Sequence, residues 1–461
     1  MSRPAARRRD IDARAGLICT AAMIYLAATA AAMQLVSYDI WGALVAIPFI
    51  VLLLVFAVQR TLTGEWARLR RAAYVGIVAK IAATFARYWI AVDAYGGASD
   101  STEYHRVGRI IAGEVHRGDI SILQLAPHTV GTRAVGEITG VIYSIVGSSK
   151  LAGFFCFAAF GYLGVLWTVK AACIGVPGLA STRYAWLCFL MPSIVFWPSS
   201  IGKEACMFAF LGAICLGAAR IFRGEPVTRP LFVLAAGGCG AVLVRPHLAA
   251  IWIGALVLCL LWSVASGRVE SIRGHRRVAL AFLTFVALAS MAVIARVALD
   301  LLINDPTDES VSSQVNDIFD LTVSRSSGGG SELETVTTSS PLDYPWAVIR
   351  TLTRPMLNEA TNLASLLPSL ETTFILIVMA VSWRRLLSLP RELLRTPYVL
   401  YALLVCIMVG LAFSNFANLG LLVRQRSLVL PSLLLLPCMP IWRPADHAAA
   451  LPIGHARVAA R

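Results

Sequence analysis

A short polar stretch that follows an apolar segment carries the best candidates for catalysis. Asp100, Glu103 and His105 lie close together there, just after the glycine pair at 96–97. A carboxylate beside apolar helices at a membrane surface is partly desolvated, and it can accept a proton from a hydroxyl group. Asp100 is therefore the first candidate for a catalytic base and Glu103 the second. The alternative is that Asp100 only caps a helix that begins near Ser101.

Basic side chains recur at the turns between other apolar segments. A guanidinium can donate two N–H bonds to phosphate oxygens, and a helix N-terminus adds partial positive charge, so such turns suit a phosphate-bearing ligand. One turn reads FWPSSIGKE, and the next reads VRPH. Alternatively, the tryptophan in the first turn belongs to an interfacial aromatic belt. The candidate binding residues are Lys80, Arg87, His105, Lys203, Glu204, Arg245, His247, Arg354, Glu359, Arg424 and Arg426.

Two of these cations lie inside an apolar segment. Lys80 and Arg87 are seven residues apart, with Thr84 between them, so all three share one face of a helix. A cation near the bilayer centre costs ~2.5–3.5 kcal/mol on the insertion scale, so it usually faces a cavity or a site. Snorkelling to the interface, or pairing with a carboxylate of another helix, is the alternative.

The composition shows which elements must position these side chains. Of the 461 residues, 58% are hydrophobic and 14% are charged, whereas an average soluble domain has roughly 25% charged residues. The formal charge of +14 does not indicate a nucleic-acid partner, because most arginines lie in short loops between apolar segments. The cysteines show no metal-ligand spacing, so no metal site is predicted. The expected partner is the lipid bilayer.

Apolar runs of membrane-spanning length predict an all-α, polytopic transmembrane bundle in a single domain, 1–461. About twelve spans are expected, at 16–36, 40–58, 72–94, 151–173, 184–200, 205–222, 230–244, 247–265, 278–302, 363–383, 398–416 and 428–442.

The apolar run 134–147 is too short to span, and we interpret it as an amphipathic or re-entrant segment. The basic residues then favour cytoplasmic termini by the positive-inside rule. If 134–147 spanned the membrane, the distribution of basic residues between the two sides would be inverted. Two long extracytoplasmic segments result. The first, 95–150, carries interfacial helices, and the second, 304–362, is expected to be partly mobile.

Several short motifs together resemble polytopic proteins of bacterial surface-polysaccharide assembly. These are the stretch Asp100-Ser-x-x-Tyr104-His105, the two turns above, RTLTRPMLNEA followed by SLE, and NLGLLVRQR. The group is similar to GT-C-type glycosyltransferases and to O-antigen-polymerase-like enzymes. In this chain the candidate carboxylate follows the third span, whereas GT-C enzymes usually carry theirs after the first. A paired acidic metal motif and a large soluble C-terminal domain are also lacking.

The resemblance implies a membrane-embedded glycosyltransferase of the bacterial inner membrane that acts at the extracytoplasmic face. Its donor would be a polyprenyl-phosphate or polyprenyl-diphosphate sugar and its acceptor a glycan, with polysaccharide-assembly proteins as further partners. Asp100 would activate the acceptor and the arginines would hold the phosphate. The resemblance leaves open whether a divalent metal is a cofactor. The alternatives are a repeat-unit polymerase of the O-antigen type, a transporter or flippase of lipid-linked sugars, and a scaffold protein.

Overall fold

The computed structural model describes residues 3–97, 99–119, 131–266, 341–360, 363–414 and 418–441, and these residues fold into helices without strands. The predicted span 278–302 and most of the predicted segment 304–362 lie outside the described residues. The helices, numbered in chain order, are α1 (Arg3–Leu35), α2 (Tyr38–Thr61), α3 (Arg70–Trp89), α4 (Asp100–His116), α5 (Thr132–Val146), α6 (Lys150–Gly175), α7 (Ser181–Leu190), α8 (Pro192–Phe196), α9 (Lys203–Phe222), α10 (Thr228–Val244), α11 (Pro246–Ala265), α12 (Tyr344–Thr353), α13 (Leu363–Val381), α14 (Trp383–Leu386), α15 (Leu389–Arg395), α16 (Pro397–Ala412) and α17 (Leu419–Leu435).

Six helical segments of the described part are long and apolar enough to cross a membrane. They are Tyr38–Thr61, Gly64–Ala94, Lys150–Gly175, Lys203–Phe222, Pro246–Ser263 and Leu419–Cys438. A seventh is added if α15 and α16, which meet at a bend of 115°, count as one broken span. Three further predicted spans coincide with shorter apolar helices, at Cys19–Leu35, Thr228–Val244 and Ser365–Val381. The chain is thus a helical membrane protein, while the number of twelve spans stays a prediction.

Two predicted spans differ from the structure in an informative way. The last one was expected over 428–442, but α17 begins at Leu419, so Arg424 and Arg426 lie within a helix and not in a turn. The span expected over 184–200 is interrupted at Met191, whose ψ of 122° separates α7 from α8. The proline that follows disfavours the helical conformation at Met191.

Glycines allow the central helices α6 and α9 to pack backbone against backbone. A Cβ atom at Gly164 would overlap the carbonyl group of Phe208, and one at Gly212 would overlap the carbonyl oxygen of Gly164. Small residues at such crossings are the usual means of close helix packing in membranes, where dispersion contacts replace the hydrophobic effect. The α6–α9 pair therefore forms the core on which the other helices pack.

The helices end at two opposite faces of the bundle. One, here called the Arg183 face, is marked by a hydrogen bond from Arg183 to Ser382 (2.6 Å). The other, called the Glu204 face, includes the C-terminal end of α10, next to Arg245, and the start of α2. Both ends of α5 lie there, because the Gly131 N–H donates to Leu243 O (2.9 Å) and Gly147 packs against the Tyr38 hydroxyl group. The helix over 134–147 therefore stays on one face, as the length of this run predicts.

Replacing Gly164 with alanine should destabilise the bundle, because the added methyl group meets backbone atoms of Phe208 that cannot move independently of α9. We expect a loss of about 1–3 kcal/mol or more in the free energy of unfolding, measured by thermal unfolding in detergent. Gly238→Ala is the matched control, since its methyl group would meet only Ile253 Cδ1, at an ordinary 3.5 Å. Equal stability of the two variants would contradict the proposed packing.

Candidate functional site

A buried carboxylate at the Glu204 face joins two arginines from distant parts of the chain. Glu204 is in the first turn of α9 and only 2% exposed. Its Oε1 accepts a hydrogen bond from Arg245 Nη2 (2.5 Å), and its Oε2 accepts one from Arg424 Nη2 (2.7 Å). Arg424 Nε also lies 2.6 Å from Glu204 Oε1. One carboxylate therefore links the start of α9, the turn between α10 and α11, and the first half of α17.

Both arginines make a second contact that extends the cluster. Arg245 Nη1 donates to Gln425 Oε1 (2.8 Å), and Arg424 Nη1 lies 3.4 Å from Asp100 Oδ2. Asp100 is the first residue of α4, and its side chain is 65% exposed. The helix is preceded by Ser99, so Asp100 is not the residue at the N-cap position. The alternative interpretation of Asp100 as a helix cap therefore does not account for its contact with Arg424.

Two further cations border this cluster without an ion pair in the described part of the chain. The Arg87 guanidinium lies over the rings of Phe196 (4.9 Å) and Trp197 (5.3 Å), and its Nη2 donates to Ser200 Oγ (3.3 Å). The charges of Arg424, Glu204 and Asp100 all act on Arg87. Lys203 precedes Glu204 in α9 and experiences the charges of Arg245, Arg424 and Asp100. It also lies near Gly131 at the start of α5.

We call these six residues the anion cluster: Arg87, Asp100, Lys203, Glu204, Arg245 and Arg424. Four cations and two carboxylates leave an excess of two positive charges. An unbalanced charge at the end of a membrane helix bundle is costly unless a mobile anion or a ligand neutralises it. An anion bound at the cluster would balance this excess charge.

Other candidates from the sequence lie outside the anion cluster. Glu103 pairs with Arg106 on the exposed surface of α4 (2.6 Å), and His105 contacts Tyr143 of α5 (2.7 Å). The exposed His247 ring packs edge-on against Phe413. Arg354 pairs with Glu359 (2.6 Å).

Lys80 and Arg426, although both deeply buried, are bonded elsewhere. Lys80 Nζ donates to Val195 O (2.9 Å), and Arg426 Nη1 donates to Thr372 Oγ1 (2.7 Å) and to the Arg354 carbonyl. Arg426 Nε and Nη2 and Glu371 Oε1 are buried with no hydrogen-bond partner among the described residues.

Sequence reasoning missed two contacts that support the anion cluster. Gln425 lies between two arginines, and its role as partner of Arg245 follows only from the helical geometry of α17. Ser200 was seen as part of a polar turn but not as the partner of Arg87. Outside the cluster, the buried Glu371 of the stretch SLE bonds to Ser193, which is 178 residues away in sequence. Contacts at such separation leave no local signal in one sequence.

No group of three or more His, Cys, Asp and Glu side chains suited to a metal ion occurs in the described ranges. The two carboxylates of the anion cluster both face arginines. Comparison with protein-family models, with curated proteins and with solved structures found no match.

The pKa values of two side chains of α4 are shifted by burial. Burial lowers the pKa of His105 to about 4, with opposing effects of Asp39 and Lys150, so its imidazole is neutral at pH 7. Burial, together with the nearby Asp100 and Glu204 carboxylates, raises the pKa of Tyr104 to about 12. Tyr104 is 2% exposed and keeps its proton at neutral pH. The buried side of α4 is therefore uncharged at these two positions, while its first residue, Asp100, reaches the anion cluster.

Glu204→Gln should destabilise the protein strongly, because it leaves the buried Arg245 and Arg424 without their shared counter-charge. Breaking a buried ion pair costs about 3–5 kcal/mol in the free energy of unfolding. The control is Glu225→Gln, which removes the partly exposed partner of Arg220 (3.7 Å) at the Arg183 face and should cost at most about 1 kcal/mol. Similar unfolding midpoints for the two variants would rule out Glu204 as the centre of the cluster.

Acid should destabilise the native protein partly through His105. Its pKa is lower in the folded state than the ordinary value of 6.5, so the unfolded chain binds more protons between pH 6.5 and about 4. The free energy of unfolding therefore falls as the pH drops through this window. In His105→Gln this contribution is absent, and unfolding midpoints measured from pH 7 to 4 should fall less steeply than in the wild type. Parallel pH profiles would show that His105 does not contribute.

Proposed function

We propose that the protein is a membrane-embedded glycosyltransferase whose anion cluster binds the phosphate of a polyprenyl-linked sugar donor. The observation that carries this proposal is the convergence of Arg87, Lys203, Arg245 and Arg424 at one face of a membrane helix bundle. These cations come from α3, α9, the α10–α11 turn and α17, so they meet only in the folded chain.

The site's position supports a lipid-linked ligand in preference to a soluble one. Arg87 is near the end of a candidate span, and Trp89 and Tyr95 beyond it are 61% and 60% exposed. Apolar side chains of the spans face outward from the bundle, as expected of surfaces in contact with lipid. A ligand with a phosphate head and a hydrocarbon tail can place its head on the cations while its tail stays in the bilayer.

The cations would assist the departure of the phosphate. Breaking the glycosidic bond moves negative charge onto the leaving phosphate oxygen, and fixed guanidinium and ammonium groups stabilise that charge without reorganising. The Glu204 carboxylate keeps Arg245 and Arg424 in place before the donor arrives. Such preorganisation is worth ~2.7–4 kcal/mol of barrier height for each hydrogen-bond donor.

Asp100 would act as the base. It is the exposed carboxylate at the edge of the anion cluster, and Arg424 alone contacts it in the ion pairs of the described chain. An acceptor hydroxyl that approaches from the aqueous side can reach Asp100 while the donor phosphate occupies the buried cations. Glu103 pairs with Arg106, whereas Asp100 pairs with Arg424 of the cluster, so Asp100 is preferred.

The proposed function also implies a cellular location and an orientation in the membrane. The chain would lie in the bacterial inner membrane with both termini in the cytoplasm, and the Glu204 face would be extracytoplasmic. The Arg183 face carries basic side chains such as Arg68, Arg183 and Arg385, which agrees with the positive-inside rule. Donor and acceptor would then meet on the side where surface polysaccharides are assembled.

A transporter or flippase of the same lipid-linked anions is the second candidate. The buried Lys80, Glu371 and Arg426 favour it, because charges deep in a helix bundle can mark a pathway. A repeat-unit polymerase would use the same chemistry as the glycosyltransferase and differ in its acceptor.

Purified protein in liposomes, given a polyprenyl diphosphate-linked radiolabelled sugar and candidate glycan acceptors, should form a new glycosidic product. Asp100→Asn should lower the rate about 10²–10⁴-fold, the range expected for loss of a general base. Glu114→Gln is the matched control, since Glu114 is another acidic residue of α4, paired with Arg117 away from the cluster. Glu103→Gln tests the second candidate base.

The outcomes separate the candidate functions. A ladder of products from one acceptor indicates polymerisation, and movement of label across the bilayer without product indicates a carrier. Full activity of Asp100→Asn would refute the role of Asp100, and the absence of both product and movement would refute the proposed function.

A further inference from the structure

The five-residue helix α8 is held by a buried side chain at its N-terminal end. Glu371 of α13 accepts two hydrogen bonds on Oε2, from the Ser193 N–H (3.0 Å) and from Ser193 Oγ (2.5 Å). Glu371 is 5% exposed and Ser193 4% exposed. A carboxylate at this position satisfies N–H groups that a helix leaves without partners, and it is attracted by the positive end of the helix dipole.

A buried lysine holds the other end of α8. Lys80 Nζ donates to the carbonyl oxygens of Ile194 (3.3 Å) and Val195 (2.9 Å), and Lys80 is 4% exposed. The last carbonyl groups of a helix have no partner within it, and a cation is favoured there. The negative charge of Glu371 therefore lies at the positive N-terminal end of α8, and the positive charge of Lys80 lies at its negative C-terminal end.

The turn that follows α8 is the support of Arg87. Phe196 and Trp197 present their rings to the Arg87 guanidinium, and Ser200 accepts its hydrogen bond. Lys80 and Arg87 are both on α3, seven residues apart and thus on one face of that helix. Lys80 bonds to the residues just before this turn, and Arg87, about two helical turns further along α3, contacts the turn itself.

We propose that Lys80 and Glu371 are positioning residues, which clamp α8 from its two ends and thereby hold the 196–200 turn against Arg87. Neither side chain contacts the anion cluster. Both act through the turn, and their loss would let the turn move and release the Arg87 guanidinium from Ser200. This clamp rests on the proposed function only for the ligand that Arg87 binds, and the geometry of the turn can be tested without any ligand.

The test uses Ser199→Cys and a membrane-impermeant thiol reagent on protein in liposomes. Ser199 is 0% exposed in the same turn and bonds to Val195 O, so its substitution keeps the Ser200 hydroxyl that accepts from Arg87. The introduced thiol should react slowly, as measured against protein without this substitution. Adding Lys80→Met or Glu371→Gln should raise the labelling rate at least tenfold, because the turn is released. Lys80→Arg keeps hydrogen-bond donors at α8 and should restore slow labelling.

Lys170→Met is the matched control. Lys170 is an equally buried lysine that stacks on Trp66, away from α8, so its loss should leave the labelling of the introduced thiol slow. If Lys80→Met or Glu371→Gln does not fold, as judged by size-exclusion chromatography, Ser193→Ala removes only the hydroxyl bond to Glu371 and should raise labelling by a smaller factor. Unchanged labelling in every folded clamp variant would overturn the proposal.

A second readout separates the clamp from the proposed function. Inorganic diphosphate should bind the wild type, and the clamp variants should bind it several-fold more weakly, although Lys80 and Glu371 do not face the cluster. Faster labelling in clamp variants of a protein that binds no diphosphate would support the clamp and count against the proposed function. Slow labelling with intact diphosphate binding would count against the clamp alone.

Discussion

Glu204 is a carboxylate buried at the end of a membrane helix bundle between two guanidinium groups. A buried charge is tolerated only when it is paired and hydrogen-bonded, so Glu204 requires Arg245 and Arg424 as much as they require it. This requirement fixes where α9, α17 and the α10–α11 turn meet. Asp100 is attached to the same group through Arg424, which brings the start of α4 to the site.

The same constraint explains the interruption between α7 and α8. A continuous helix through Met191 would leave no free Ser193 N–H for Glu371. The break exposes this N–H, the end of α8 leaves carbonyl groups for Lys80, and buried side chains of α13 and α3 satisfy them. Polar groups inside the bundle thus have two uses. Lys80 and Glu371 bond to the backbone of α8. The anion cluster, at the Glu204 face, has an excess of positive charge that an anion could neutralise.

The sequence predicted the helical membrane fold because long apolar runs have few alternatives in a bilayer. All six charged residues of the anion cluster were among the candidates named from the sequence, since such charges are unusual inside apolar segments or at their ends. The sequence did not predict that Arg424 and Arg426 are helical, because local polarity suggested a turn and their buried partners are distant in sequence. For the same reason it grouped Lys80 with the ligand-binding cations, whereas the structure bonds it to the carbonyl groups of α8.

The most direct test of the anion cluster is calorimetric titration of the purified protein with inorganic diphosphate. Saturable binding that weakens with added salt is predicted, as is a loss of at least tenfold in affinity in Lys203→Met, whose lysine forms no ion pair in the described chain. Lys150→Met, which removes another lysine of the Glu204 face bonded to Thr102, should bind as the wild type does. Absence of saturable binding, or equal affinity in Lys203→Met, would contradict the account.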